Sequence, residues 1–146
     1  GQLAGHPDGT PGLVLQRIPP AHANLAGPPS LASCSRDVYA GGLRLQAGAA
    51  PAIAQGMQSA LAHLHRQGLA HGDLYAHNIL VDAGGHALLG DLGAASFLPQ
   101  DDPVRRAALQ RIDQRALAVL LGELAGLCDD AATAEALRTD ARRMLA

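Results

Sequence analysis

The chain has no lysine and no tryptophan, and only Tyr39, Tyr75 and Phe97 are aromatic. Its eleven basic residues are therefore all arginine, and the chain offers no lysine ammonium for a phosphate. With so few aromatic rings, the core must consist of Leu, Ala, Val and Ile, which favours a helix-rich fold. The length of 146 residues is enough for one domain with a real core.

The chain also lacks a strong charge and a cysteine framework. A net charge of −2 provides no positive surface for nucleic acid or for an anionic membrane. Cys34 and Cys128 are far apart and match no metal-ligand spacing, so both are expected to be reduced and buried. The uncharged run 45–65 contains too many Pro, Gln, Ser and His residues to span a bilayer. We therefore expect a cytoplasmic protein without membrane or nucleic-acid partners.

Hydrophobic periodicity and turn residues predict the main elements. A hairpin is expected to end within residues 1–18, with residues 13–16 as its last strand. A short helix is expected from Ser30 or Ser33 to Tyr39. Longer helices are expected over 52–67, over 104–124 and after a cap at Asp129 or Asp130. His63 and His65 are expected to face solvent on the first of these long helices.

A second hairpin occupies the middle of the chain. Residues 79–81 and 87–89 are short apolar runs, and the Asp-Ala-Gly-Gly sequence at 82–85 is a strong turn signal. Such a hairpin would bring Asn78, before the first strand, close to Asp91, after the second. Asp73 lies on the loop just before Asn78.

These three polar residues suit phosphoryl transfer. That reaction needs a divalent cation on the phosphate oxygens and a group that orients the attacking hydroxyl. Magnesium prefers hard oxygen ligands, which Asp91 and Asn78 can supply. Asp73 would then face the nucleophile. Gly93, two residues after Asp91, is expected to allow a turn that a β-carbon would resist.

The stretch resembles the catalytic and metal-binding loops of the protein-kinase-like superfamily. The motif His-x-Asp-Leu-x-x-x-Asn stands at residues 71–78, and Asp-Leu-Gly at 91–93 resembles Asp-Phe-Gly. The resemblance implies an α+β, mostly helical fold, a kinase-like C-lobe with a remnant N-lobe hairpin. Residues 1–20 would then form the end of the N-lobe and the hinge, and 21–146 the helical C-lobe. The sequence His-Gly-Asp-Leu-Tyr-Ala-His-Asn at residues 71–78 also resembles bacterial Ser/Thr-kinase-like proteins linked to leucine-rich repeats.

The same resemblance implies roles for individual residues. Asp73 would be the catalytic base, His71 a packed structural residue, and Asp113 a buried anchor for the catalytic loop. The implied cofactors are ATP and magnesium, with Asn78 and Asp91 as metal ligands. The residues implied at the adenine are Leu15 as gatekeeper, Gln16 and Ile18 on the hinge, and Leu80 beneath the ring.

Several features depart from the kinase pattern. The Gly-rich phosphate loop and its lysine would lie upstream, so we expect a chain whose N-lobe is missing. Protein Ser/Thr kinases usually have Lys where Tyr75 stands, and tyrosine kinases can have Arg where His77 stands. A protonated His77 replacing that cation is a hypothesis.

The pattern leaves three functions open. The first is an ATP-dependent, protein Ser/Thr kinase-like phosphotransferase acting on a protein substrate. The second is a small-molecule kinase of the aminoglycoside or choline type, because the segment 93–113 is short and lacks the Ala-Pro-Glu landmark. The third is an inactive pseudokinase that serves as a binding module. The acceptor of the phosphoryl group separates the first two, and the presence of an upstream lysine and Gly-rich loop bears on the third.

Overall fold

A computed structural model describes residues 2–5, 7–31 and 36–146. Strands β1 (Gln2–Gly5) and β2 (Pro11–Val14) form an antiparallel pair, with Gln2 opposite Val14. The hairpin expected at the start of the chain is therefore present. Its second strand ends at Val14, so Leu15 and Gln16 lie after it and not within it.

The connector that follows has little regular structure. Strand β3 covers only Ala23–Asn24. The helix expected from near Ser30 to Tyr39 is wrong for the segment 36–39, which is not helical. Residues 32–35 of that expected helix, including Cys34, lie outside the described ranges.

Three helices carry most of the regular structure among the described residues. They are α1 (Ala49–Arg66), α2 (Pro103–Leu127) and α3 (Ala131–Leu145), so all three long helices are confirmed. Helix α3 begins after Asp130, whose carboxylate accepts a hydrogen bond from the Thr133 N–H at 2.7 Å. This is the expected cap, and it satisfies a backbone donor that the helix itself leaves free. None of the described helices is long and apolar enough to cross a membrane.

The core is aliphatic, as the scarcity of aromatic residues requires. Ile53 and Met57 of α1 and Leu121 and Leu124 of α2 are almost fully buried. Helix α3 covers another side of α2 with Leu137 and Ala141. The apolar face expected on α2 includes Ile112, but this side chain is 55% exposed and does not belong to the core. Cys128, after α2, is half-buried with a free thiol.

The central hairpin forms as predicted and positions the catalytic stretch. Strands β5 (Ile79–Val81) and β6 (Ala87–Leu89) pair antiparallel, and β3 pairs with the other edge of β5. Strands β4 (Leu69–Ala70) and β7 (Ser96–Phe97) form a second short pair. The two polar loops therefore lie between these pairs, the first between β4 and β5 and the second between β6 and β7. The α+β class is confirmed, whereas the division at residue 20 into two lobes stays a prediction.

The turn of the central hairpin touches the start of α1 at Gly85. This glycine has φ of +84°, and a β-carbon there would lie 2.6 Å from the Ala49 carbonyl oxygen. Both the backbone conformation and the lack of space therefore require glycine.

Replacing Gly85 with Ala should destabilise the protein. A left-handed backbone costs an alanine about 1–2 kcal/mol, and the contact with Ala49 adds to that cost. Denaturant unfolding should therefore show a lower free energy of unfolding for Gly85→Ala. The control is Gly122→Ala in α2, where a β-carbon meets nothing within 4 Å. Equal stability of the two variants would contradict the proposed role of Gly85.

Candidate active site

The backbone of the catalytic loop is held by the carboxylate of Asp113, on α2. Its Oδ2 accepts from the His71 N–H at 2.9 Å, and its Oδ1 accepts from the Gly72 N–H at 2.8 Å. Asp113 is only 1% exposed, so these bonds satisfy a charge that burial would otherwise penalise. The anchoring role expected for Asp113 is confirmed.

A third donor to Asp113 was not expected. His65 Nε2 lies 2.8 Å from Asp113 Oδ2, and its side chain is 13% exposed. The expectation that His65 faces solvent is therefore wrong, while His63 is exposed as expected. The cause is tertiary, because α2 places its only buried carboxylate against the last turn of α1.

The side chain of His71 joins the two polar loops. It is fully buried, and its Nδ1 lies 3.3 Å from the backbone N–H of Asp73, which must be the donor. The proton is therefore assigned to Nε2, which lies 3.0 Å from the Gly90 carbonyl oxygen. His71 is thus a packed structural residue, as expected.

The structure brings Asp73 and Asn78 into direct contact. Asn78 Nδ2 donates to the Asp73 carbonyl at 2.9 Å and to Asp73 Oδ2 at 3.0 Å. Both amide protons are engaged, so the oxygen Oδ1 of Asn78 remains as a possible ligand. Asp73 is half-buried and keeps its second carboxylate oxygen, Oδ1, for another partner.

Asp91 is connected to Asn78 through the backbone. The Gly90 N–H donates to the Asn78 carbonyl oxygen at 2.8 Å, which extends the β5–β6 pairing up to Asp91. Asp91 itself has φ of +50° and is the only non-glycine residue with positive φ in the described part of the chain. Gly93 was expected to make this turn, but Asp91 adopts the left-handed conformation instead.

The strained turn at Asp91 is stabilised by its own side chain. Asp91 Oδ1 accepts from the Gly93 N–H at 3.0 Å, an arrangement that makes a left-handed Asp tolerable. A β-carbon at Gly93 would lie 3.0 Å from that same oxygen. The absence of a side chain at Gly93 thus leaves room for the Asp91 carboxylate. The Asp91 side chain is exposed, so its Oδ2 is open to a ligand.

Asp37 is a site residue that the sequence did not reveal. Its Oδ2 accepts from the Ala76 N–H at 2.6 Å, and its Oδ1 accepts from the His77 N–H at 3.2 Å. Asp37 therefore fixes the one-turn 3₁₀ helix Ala76–Asn78, which carries the proposed ligand Asn78. Asp37 lies in an irregular connector about 40 residues upstream, and no local spacing signals such a contact.

Asp37 also engages the side chain of His77. His77 Nδ1 lies 2.8 Å from Asp37 Oδ1, and the His77 ring stacks on Tyr75 with centroids 5.2 Å apart. His77 is thereby held within the loop. Its role as a substitute for the missing cation stays a hypothesis.

The residues expected at the adenine lie apart from this network. Leu15 is 66% exposed and Ile18 is 49% exposed, and both belong to the irregular segment after β2. Gln16, between them, is also exposed. Leu80 is half-buried in β5, where it lies opposite Asn24 of β3. The role of these four residues in nucleotide binding stays a prediction.

A cavity of about 180 Å³ opens beside Asp73, between the catalytic loop and α2. Its apolar wall includes Ile112, Ala116 and Val119, which explains why Ile112 is not covered. Arg36 and Tyr75 are among its polar lining residues. The lining also includes Asp37, Asp113 and Glu123, so the cavity contains one cationic side chain and several carboxylates besides the proposed base.

Tyr39 and Glu123 form a polar pair close to this cavity. The Tyr39 hydroxyl donates to Glu123 Oε2 at 2.8 Å. Burial is the larger cause of a raised pKa of Tyr39, and the hydrogen bond to Glu123 is the next largest. Burial also raises the pKa of Glu123. Tyr39 is thus a neutral hydrogen-bond donor that ties the 36–40 connector to α2.

The hairpin, its two polar loops and the buried aspartate on the following helix together form the candidate active site. The sequence profile described as "Lipopolysaccharide kinase (Kdo/WaaP) family" matches residues 24–136. The chain belongs to this family, which is a branch of the protein-kinase-like superfamily. The expected superfamily is therefore confirmed.

Individual relatives match shorter parts of the chain. A 3-deoxy-D-manno-octulosonic acid kinase of Xanthomonas oryzae pv. oryzae is 42% identical over 66 residues, 45% of this chain and 26% of that protein. A kinase of the same name from Xanthomonas campestris pv. campestris is 64% identical over 31 residues, 21% of this chain and 12% of that protein. The G protein-coupled receptor kinase 2 of Drosophila melanogaster is 44% identical over 45 residues, 31% of this chain and 6% of that protein.

The chain spans about a quarter or less of the length of these curated relatives. No solved structure matches it. The family nevertheless favours the small-molecule kinase alternative over the protein Ser/Thr kinase that the motif first indicated.

Replacing Asp113 with Asn should both destabilise the protein and reduce its activity. The change replaces one accepting oxygen with an NH₂ group that faces a buried donor, which costs about 3 kcal/mol. Denaturant unfolding measures this loss. Asp101→Asn is the matched control, because Asp101 is exposed and should change stability by less than about 0.5 kcal/mol. A stability of Asp113→Asn equal to that of the control would refute the anchoring role.

Proposed function

We propose that the protein transfers the γ-phosphate of ATP to a hydroxyl of a sugar acid, 3-deoxy-D-manno-octulosonic acid or a close relative of it in lipopolysaccharide. The observation that carries this proposal is the Asp73–Asn78–Asp91 arrangement in a chain that matches the lipopolysaccharide kinase family. The acceptor is taken from the names of the Xanthomonas relatives.

In this proposal Asp73 is the catalytic base. Asn78 donates to one of its carboxylate oxygens, which fixes the orientation of the carboxylate and leaves the other oxygen for the acceptor hydroxyl. A positioned carboxylate can orient that hydroxyl and accept its proton as the bond to phosphorus forms. His71 and Asp113 act indirectly, because they hold the loop that carries Asp73.

The oxygen atoms left free by the hydrogen bonds suit magnesium. Asn78 Oδ1 and Asp91 Oδ2 are hard ligands, and neither needs to break a described bond in order to bind a cation. When bound, magnesium would neutralise charge on the phosphate oxygens. The exposed apolar side chains of Leu15 and Ile18, with Gln16 and Leu80, are the proposed adenine contacts.

The cavity beside Asp73 is the proposed acceptor site. A sugar acid has a carboxylate for a cation and several hydroxyls for hydrogen bonds. Arg36 and Tyr75 line the cavity together with Asp73 and supply those groups.

The test is transfer of labelled γ-phosphate by the protein at its full length. With magnesium-ATP, label should appear on the sugar acid and not on added protein substrates. Asp73→Asn should reduce kcat by about 100-fold or more, because a positioned general base contributes at least that much. Asp91→Ala should reduce activity in a way that higher magnesium concentrations partly restore.

The alternatives give different results in the same assay. Label on a protein acceptor alone would favour the protein kinase. Nucleotide binding without transfer to any acceptor would favour the pseudokinase. Asp101→Asn serves as the control and should retain full activity, since Asp101 is exposed and belongs to neither loop.

Asp37 is a proposed positioning residue for this reaction. Asp37→Asn should lower kcat by about tenfold or more and raise KM for magnesium-ATP, because Asn78 both orients Asp73 and is a proposed magnesium ligand. Steady-state kinetics with the sugar acid measures both constants. An unchanged kcat would show that the 3₁₀ turn keeps its position without this carboxylate.

A further inference from the structure

A second group of possible ligands lies at the other end of the β5–β6 hairpin from the catalytic loops. Asp82 and His86 flank the turn, and β3 brings His22 beside them because Ala23 is paired with Val81. One ligand atom from each of these three residues lies within 4.8 Å of the other two. The proposed phosphotransferase chemistry uses none of them.

The two imidazoles are already at the spacing of metal ligands. His22 Nε2 lies 3.1 Å from His86 Nδ1, and the rings meet edge to face at 80°. Two nitrogens bound to one tetrahedral zinc ion, each at about 2.0–2.1 Å, are about 3.3 Å apart. The separation of the two nitrogens is therefore close to that required for binding one ion.

The carboxylate of Asp82 is held in a fixed orientation. Its Oδ1 accepts from the N–H groups of Gly84 and His86, both at 2.9 Å. Within the described ranges, these bonds leave Oδ2 as the oxygen available to an ion. In addition, His22 Nδ1 is buried and has no partner among the described residues, so hydrogen bonding within the protein does not fully satisfy this ring.

We propose that His22, Asp82 and His86 bind one divalent transition-metal ion of the zinc class. Two neutral imidazoles and one carboxylate favour such an ion over magnesium, which prefers oxygen ligands alone. His86 is exposed, so water can complete the coordination sphere. This site is independent of the proposed function and separate from the magnesium ligands Asn78 and Asp91.

The ion would have a structural effect. Strand β3 is only two residues long and follows the irregular segment 15–22. Metal binding would attach the end of that segment to the hairpin turn. Because His22 lies 64 residues from His86 along the chain, an ion that binds both stabilises the folded state.

The test uses the full protein after removal of metals with a chelator. Titration with Zn²⁺ should raise Tm, and Co²⁺ should give visible absorption bands with one equivalent bound. His86→Gln and His22→Gln should each weaken Zn²⁺ binding by about tenfold or more and reduce the rise in Tm. Because His86 is exposed, its replacement should leave the fold intact, which circular dichroism of the metal-free protein checks.

Two controls identify the site. His63→Gln removes an exposed histidine outside the cluster, and Asp91→Ala removes a proposed magnesium ligand. Both should bind Zn²⁺ as the unmodified protein does. The proposal is overturned if Zn²⁺ does not raise Tm, or if the His22→Gln, His86→Gln double variant retains full affinity.

Discussion

The buried carboxylate of Asp113 is the interaction on which the rest of the site depends. It accepts hydrogen bonds from two consecutive backbone N–H groups and lies 2.8 Å from the ring of His65, so three chain segments meet at one charge. A buried charge is tolerated only when its bonding capacity is filled, and here the loop that carries Asp73 fills it. The position of the catalytic loop is therefore coupled to the stability of α1 and α2. A local change in the loop should also destabilise the helical core.

A series of hydrogen bonds connects Asp113 to the other residues of the site. His71 links the first loop to Gly90, and Gly90 links the second loop back to Asn78. Asp37 fixes the same turn from the opposite side. Each bond uses a backbone group or a buried side chain, so Asp73 Oδ1, Asn78 Oδ1 and Asp91 Oδ2 remain available. This separation of supporting and reacting groups is what a preorganised site requires.

The β5–β6 hairpin has a different group of possible metal ligands at each of its two ends. At one end, the oxygen-rich loops suit magnesium and phosphate. At the other end, two imidazoles and a carboxylate suit a transition metal. The hairpin strands are only three residues long, so both ends need side-chain interactions to hold them. Hydrogen bonds supply these at the catalytic end, and the proposed ion would strengthen the turn.

The sequence by itself determined the three long helices, the central hairpin and the placement of Asp73, Asn78 and Asp91 on the two adjoining loops. Helical periodicity, the turn residues at 82–85 and the motif spacing are local signals, and local signals can be read along the chain. Tertiary structure alone decided the roles of Asp37 and His65 and the meeting of His22 with the hairpin turn. The partners of these residues lie 39 to 64 positions away, and only packing brings such residues together. The left-handed conformation of Asp91, by contrast, is stabilised locally, because its own carboxylate accepts a hydrogen bond from the Gly93 N–H.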